Sequence, residues 1–359
     1  MKTISVYGEY LRSKNPIGVA RVSNEILYQL DEILTDKDAV ELVVPEDVDV
    51  NYNFKNIRIV KLRKAIIKHS WQQHIYGKYV KQNGRLPLVI TSWGLYSYDG
   101  YFYIHDINYI DHPENFEGLK RKLIRLHRII GNKLALRKAK LVFTVSEYQK
   151  KRIVEHYKMP TEKVKVIYHG WEHMQRIEVD ESIFEKYPEI IRHKYFFSVG
   201  SVIKYKNIKW AINLAKKNPK YQFVFAGKIF KTDVNEITNG EQLPNVIFLG
   251  FVSDEEMKAL MANAKALLYP SLYEGFGIPP LEAIACGTDA IVSTETCLPE
   301  VYESNVYYID PYDFNVTIED IYKQPINAPA ELLNKYSWKK AAEQLWNIIK
   351  ENEEKYNGN

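Results

Sequence analysis

The stretch from Tyr269 to Gly287, YPSLYEGFGIPPLEAIACG, decides how the chain is read. It opens at the end of an apolar segment, Ala266-Leu267-Leu268-Tyr269, short enough for a buried parallel strand. A loop over 271–277 follows, with glycines at 275 and 277. Pro279 and Pro280 come next, and proline suits a first helical turn because its missing N–H would be an orphan there. Leu281 to Ala285 continue the helix, and Gly287 caps it. Strand, glycine loop and helix start, in that order, turn backbone N–H groups and a positive dipole end toward an anion, typically phosphate. Two acids bracket the helix start: Glu274 in the loop, and Glu282 eight residues later, which the pattern puts in the first helical turn. Carboxylates repel phosphate, so these two must face hydrogen-bond donors, and sugar hydroxyls are such donors. A nucleoside diphosphate-sugar offers diphosphate to the amides, ribose to one acid and a hexose to the other.

The context SLYEGFGIPPLEAIACGT, with its E-x7-E spacing, resembles the donor-site signature of retaining glycosyltransferases of family 4, which have the GT-B fold. The resemblance implies an α/β protein of two Rossmann-like domains facing each other across a donor cleft. It is strong over 195–300 and weaker over 1–170. It implies transfer of a hexose from a nucleotide diphosphate-sugar to a hydroxyl, with retention, in cell-surface polysaccharide or glycoconjugate assembly. It needs no metal and no separate cofactor. Glu274 would then hold the hexose hydroxyls and Glu282 the ribose. Lys204, Lys206 and the amides of Gly275, Phe276, Gly277 and Ile278 would take the charge of the leaving diphosphate. Phe251 and Val252, in a Gly250-Phe251-Val252 turn, would brush the nucleotide base.

The loop Gly200 to Asn207, GSVIKYKN, is similar to the family's G-x-x-x-P-R-K-N loop. Lys206 matches the family lysine. Tyr205 and Ser201 stand where other members carry arginine, and Lys204 is the substitute cation. At the first loop of the chain the resemblance expects a glycine near the donor diphosphate. Gly18 fits, after Asn15-Pro16, although a plain turn glycine reads the same way. The segment YFYIHDINYIDHP, 101–113, ends an apolar strand at His105-Asp106. This resembles the family's strand-end His-Asp, with the His beside the donor sugar's 6-hydroxyl region. A structural histidine is the other reading of His105.

The 359 residues exceed one usual core. The first domain is expected over 1–172 and the second over 190–337, with a polar linker at 174–193. A closing helix at 338–352 crosses back to the first domain, as the fold implies. At 46% hydrophobic and 26% charged, the composition is that of a soluble globular protein. No apolar run approaches the length needed to span a bilayer. The N-terminus reads as a first strand and not as a signal peptide. Cys286 and Cys297 make no disulfide framework and read as reduced thiols of a cytoplasmic protein.

Charge is uneven along the chain. Residues 1–180 carry 30 Lys and Arg against 21 Asp and Glu, whereas 181–359 carry 19 against 24. Residues 118–140, GLKRKLIRLHRIIGNKLALRKAK, hold ten Lys, Arg or His and no acid. Leu119, Leu123, Leu126, Ile129, Ile130, Leu134 and Leu136 give that helix an apolar face. A basic amphipathic helix suits an anionic membrane surface, and hence a peripheral place on the inner face with a carbohydrate or lipid-linked acceptor. An ordinary domain helix is the alternative. Nucleic acid is not expected, because no binding module is recognisable and the second half is acidic.

The aromatics of 93–109 (Trp93, Tyr96, Tyr98, Tyr101, Phe102, Tyr103, Tyr109) read either as an acceptor cleft or as strand packing. Asp47-Val48-Asp49 imitates a metal-binding D-x-D, a spacing that arises often by chance. His169-Gly170-Trp171-Glu172-His173 imitates metal ligands without the H-E-x-x-H spacing. Two rival functions share the fold: a non-catalytic partner subunit of another transferase, and a nucleotide-sugar epimerase.

Overall fold

The computed structural model describes residues 2–12, 18–50, 52–65, 70–91, 94–96, 98–200, 203–228 and 231–357. Asn15, Pro16, Trp93 and Ser201, singled out above, lie outside them. The chain forms two compact units: Met1–His169 with Trp338–Asn359, and Gly170–Ser337.

The first unit is built on seven strands. They are β1 (Ile4–Tyr7), β2 (Val40–Pro45), β3 (Ile57–Leu62), β4 (Leu86–Val89), β5 (Gly100–Tyr103), β6 (Ala139–Thr144) and β7 (Val164–Val166). The sheet order is β3-β2-β1-β4-β5-β6-β7, and every pairing is parallel. Strands β1, β2, β4 and β5 are buried along their whole length, which is why they read as unbroken apolar runs. The Trp338–Asn357 helix packs on the Val19–Ile33 helix. Trp338, Leu345, Trp346 and Ile349 are its buried anchors. Its Glu353, 2% exposed, accepts from Tyr101 Oη at 2.6 Å and pairs with the Lys140 ammonium.

The second unit holds β8 (Tyr195–Val199), β9 (Gln222–Ala226), β10 (Val246–Gly250), β11 (Ala266–Tyr269), β12 (Asp289–Ser293) and β13 (Tyr307–Ile309). Their order is β10-β9-β8-β11-β12-β13, again all parallel. Both sheets thus reverse strand order beside their first strand, the arrangement that opens a ligand crevice at the carboxyl ends of open α/β sheets. Each unit is Rossmann-like.

Three expectations are corrected. The polar stretch 174–193 is not a free linker: short helices at His173–Arg176 and Ile183–Lys186 bury Met174, Ile183 and Ile190 in the second unit. A few apolar anchors suffice to fold a segment with no period. Strand β13 has no counterpart among the strands that the apolar runs announce. The Leu119–Leu136 helix forms as expected, but Leu119, Leu123, Leu126 and Ile130 of its apolar set face solvent, whereas Ile129 and Leu136 pack on the core. Only Gly131, Asn132, Ala135 and Leu136 are buried on it. Among the described residues no helix is long and apolar enough to cross a membrane.

Candidate active site

In the second unit the carboxyl ends of the central strands carry the conspicuous chemistry. Gly200, Gly227 and Gly250 close β8, β9 and β10, all at positive φ. A Cβ on Gly227 would lie 2.2 Å from the Gly200 carbonyl oxygen, so only glycine lets these strand ends approach. Gly200 N–H donates to the Ala226 carbonyl at 2.9 Å, and Gly227 N–H to the Gly250 carbonyl at 2.7 Å.

From β8 the chain passes through a short 3-10 turn, Lys204–Lys206, into the Ile208–Lys217 helix. From β11 it passes through the 271–277 loop into the Ile278–Ala285 helix. Leu272 N–H donates to the Tyr205 carbonyl at 2.7 Å and ties the two loops together. Lys206 is thereby held where its ammonium donates to Glu274 Oε1 at 2.6 Å and to Tyr269 Oη at 2.9 Å. The pair is mostly buried, with 18% and 13% of the side chains exposed. Burial first, then the Glu274 charge, pushes the Tyr269 phenol well above its ordinary value, so it stays protonated.

The loop bearing Glu274 is pinned from beneath. Tyr273 and Phe276 are buried, and Phe276 meets the Tyr336 ring edge-on at 5.5 Å. Glu274 N–H donates to Thr296 Oγ1 at 3.2 Å. Tyr302 Oη donates to the Gly277 carbonyl. Gly277, the helix N-cap, has φ +83°. Pro279 and Pro280 remove two of the four N–H groups that a helix start would offer, so anion binding there falls to the backbone upstream.

Glu282 is not where the sequence pattern put it. Counting from Ile278 it lies in the second turn, 4% exposed, and His173 Nε2 donates to its Oε1 at 2.8 Å. The pair joins residues 109 positions apart, and no spacing in the sequence announces it. His173 is the functional candidate that sequence reasoning missed. It belongs to the HGWEH segment, whose members separate: Glu172 accepts from Ser337 Oγ, whereas His169 lies in the first unit against Trp338, ring centroids 5.3 Å apart. Of the remaining candidates in this unit, Phe251 is 73% exposed, Lys204 is exposed and Val252 is half-buried.

Gly18 and His105 lie in the first unit. Gly18 precedes the Val19–Ile33 helix at φ +55°, and a Cβ there would meet nothing within 4 Å, so any residue tolerant of that φ would fill the turn. His105 follows β5, 6% exposed. Its Nε2 lies 2.6 Å from the Ile90 carbonyl, which can only accept, so the proton is on Nε2 and Nδ1 is an acceptor. Burial lowers the His105 pKa to about 4, and the ring is neutral at neutral pH. It stacks on Tyr103 at 5.4 Å and tilts against His169 at 5.9 Å. Of the aromatics read as a possible acceptor cleft, Tyr101, Phe102, Tyr103 and Tyr109 are buried and serve as packing. Asp47 of the D-x-D imitation bonds Arg12 Nη1 at 2.6 Å.

Residues 179–345 match the model of glycosyl transferases group 1, and residues 50–173 match that of glycosyltransferase family 4. Over 216 residues, 58% of this chain, it is 32% identical to the O-antigen chain mannosyltransferase RfbU of Salmonella typhimurium, and that stretch spans 56% of the relative. The chain therefore spans about half the length of that curated relative. Sucrose-phosphate synthase of Thermosynechococcus elongatus superposes with a TM-score of 0.71 at 17% identity, covering 98% of this chain and 99% of the other. HepE of Anabaena, solved with UDP and glucose, superposes at 0.69 and 18% identity, covering 98% and 100%. The fold is GT-B, and the chain resembles glycosyltransferases of family 4 over both matched segments.

Proposed function

We propose that this chain is a glycosyltransferase that moves a hexose from a nucleoside diphosphate-sugar to a hydroxyl acceptor, with retention, in polysaccharide or glycoconjugate assembly. The observation that carries the reading is the Lys206–Glu274 pair at the carboxyl ends of β8 and β11. A cation and a carboxylate, tied loop to loop, suit a ligand that is anionic at one end and rich in hydroxyls at the other. On donor binding the ammonium turns to the diphosphate and the carboxylate to the hexose. Lys204 is a second cation for the same charge.

The chemistry is dissociative. The glycosidic C–O bond to the diphosphate stretches first, leaving a cation-like sugar and a growing negative charge on the phosphate. Lys206 and the backbone of 275–278 stabilise that charge by fixed placement, which is the largest lever available to such a site. Glu274 orients the sugar. Glu282, held by His173, takes the ribose, and Phe251 with Val252 the base. Gly18 and His105 keep the roles that the family resemblance gives them. The acceptor hydroxyl gives up its proton as it attacks, and the leaving phosphate is the base at hand. Metal independence belongs to the same reading. Mannose is the first hexose to test, because the relative that matches over 216 residues is named a mannosyltransferase.

The test is release of nucleoside diphosphate from GDP-mannose, UDP-glucose and dTDP-sugars by the purified protein, with and without hydroxyl acceptors, and anomeric analysis of the product. Acceptor-dependent release abolished by Lys206→Ala supports the reading. An epimerised nucleotide-sugar formed without acceptor, or no turnover of any donor, overturns it in favour of the epimerase or the non-catalytic subunit.

A further inference from the structure

The Leu119–Leu136 helix of the first unit is amphipathic in the wrong sense for a scaffold element. Leu119, Leu123, Leu126 and Ile130 sit at i, i+4, i+7 and i+11, a single stripe along one side of an α-helix. They are 77%, 57%, 52% and 49% exposed. The side that packs on the unit, Gly131, Asn132, Ala135 and Leu136, lies opposite. Exposed Lys120, Lys122 and Lys133 border the stripe, Arg121 is exposed on the same first turn, and no acid occurs from 118 to 140.

Four large aliphatic side chains on a solvent face cost water-exposed surface that a soluble helix normally gives to polar residues. The cationic border decides between covers. A second copy of this helix would set cations against cations, because no acid occurs from 118 to 140 to pair with Lys120, Lys122 or Lys133. An anionic bilayer surface answers both features, with acyl boundary for the stripe and phosphate for the border. We propose that this helix is a membrane-docking element that lays its Leu119–Ile130 stripe into the headgroup–acyl boundary of an anionic leaflet. The inference stands apart from the donor chemistry, since none of these residues belongs to the candidate active site. It also divides the binding into a salt-sensitive part and a salt-resistant part, because ions screen the cations and not the burial of leucine.

Flotation of the full chain with vesicles of phosphatidylcholine alone, and of phosphatidylcholine with phosphatidylglycerol, tests it. Wild type should float with the anionic vesicles at low salt and keep a measurable fraction at high salt. Lys120→Glu/Arg121→Glu/Lys122→Glu should lower partitioning at low salt by about two orders of magnitude. Leu123→Ser/Leu126→Ser/Ile130→Ser should remove the salt-resistant fraction. These side chains are exposed, so each variant's unfolding midpoint should stay at or above that of wild type. Arg125 is left out, because its Nε holds the Tyr109 carbonyl at 2.6 Å. Wild type that ignores anionic vesicles at low salt overturns the proposal. So does a wild-type dimer in sedimentation that the serine variant dissociates.

Discussion

His173 Nε2 donates to Glu282 Oε1 across 2.8 Å, and both residues are 4% exposed. The second acid of the signature therefore reaches its place through a histidine 109 positions upstream. Removing that histidine strands a buried carboxylate. His173→Ala should cost the second unit about 3 kcal/mol, read by denaturant unfolding, and should weaken nucleoside diphosphate binding. Glu282→Gln, whose amide oxygen still accepts from His173, should be milder. A His173→Ala protein as stable as wild type would contradict this account of the pair.

Lys206 pairs with charge that grows as the diphosphate leaves, whereas a ribose contact exists before the reaction begins. Lys206→Ala should lower kcat about a hundredfold with a smaller change in KM. Glu282→Ala should act mainly on donor affinity. Initial rates over a range of donor concentration separate the two. Equal effects on both constants would place Lys206 among the simple binding groups.

His105 gives a pH signature. Its folded pKa, about 4, lies below the ordinary value of 6.5, so the unfolded chain binds more protons between those values. Stability then rises with pH in that window. The contribution is whole above about pH 6.5 and is lost as pH falls toward 4, up to about 3 kcal/mol. His169, buried beside it and lowered in the same direction by burial and by His105, adds to the slope. His105→Phe should flatten the stability profile of the first unit between pH 6.5 and 4. An unchanged slope would show that other groups set it.

Gly227→Ala and Gly240→Ala make a matched contrast, because both residues have positive φ. A Cβ at 227 meets the Gly200 carbonyl at 2.2 Å, whereas at 240 nothing lies within 4 Å. The change at 240 should cost about 1 kcal/mol, for backbone strain alone. The change at 227 should cost well over about 2 kcal/mol and disturb the Lys206 loop, with donor binding weakened in step. Thermal unfolding and nucleotide titration of the two variants check this.

Turnover should survive EDTA, and Asp47→Asn should leave it unchanged, since the Asp47 carboxylate is engaged with Arg12. Activity lost to chelator and restored by manganese would give the site a metal.

Strands are legible in this sequence for a physical reason. Buried parallel strands must be short apolar runs, and β11 falls on the residues expected, Ala266–Tyr269. Strand β13 escapes because it is three residues long, with Tyr307 and Tyr308 only half-buried. The capping box at Ser253 and Glu256 is equally legible, since it needs only local geometry. The Lys206–Glu274 contact is visible as two motifs but not as a bond. The His173–Glu282 contact is not visible at all, because nothing local requires a partner so far along the chain. For the Leu119–Leu136 helix, periodicity reports that an apolar face exists and not which way it turns.

The two chain segments that make up the first unit carry a consequence for synthesis. Its seven strands are complete once residue 166 has been made, yet Trp338, Leu345, Trp346 and Ile349 arrive only after the whole second unit. For some 170 residues of elongation, roughly ten to thirty seconds, the side of the Val19–Ile33 helix that the closing helix covers stands bare. A ribosome-bound nascent chain arrested before residue 338 should therefore recruit hydrophobic-surface chaperones at a site that the finished protein hides. The second unit, whose strands all lie between 195 and 309, has no such wait.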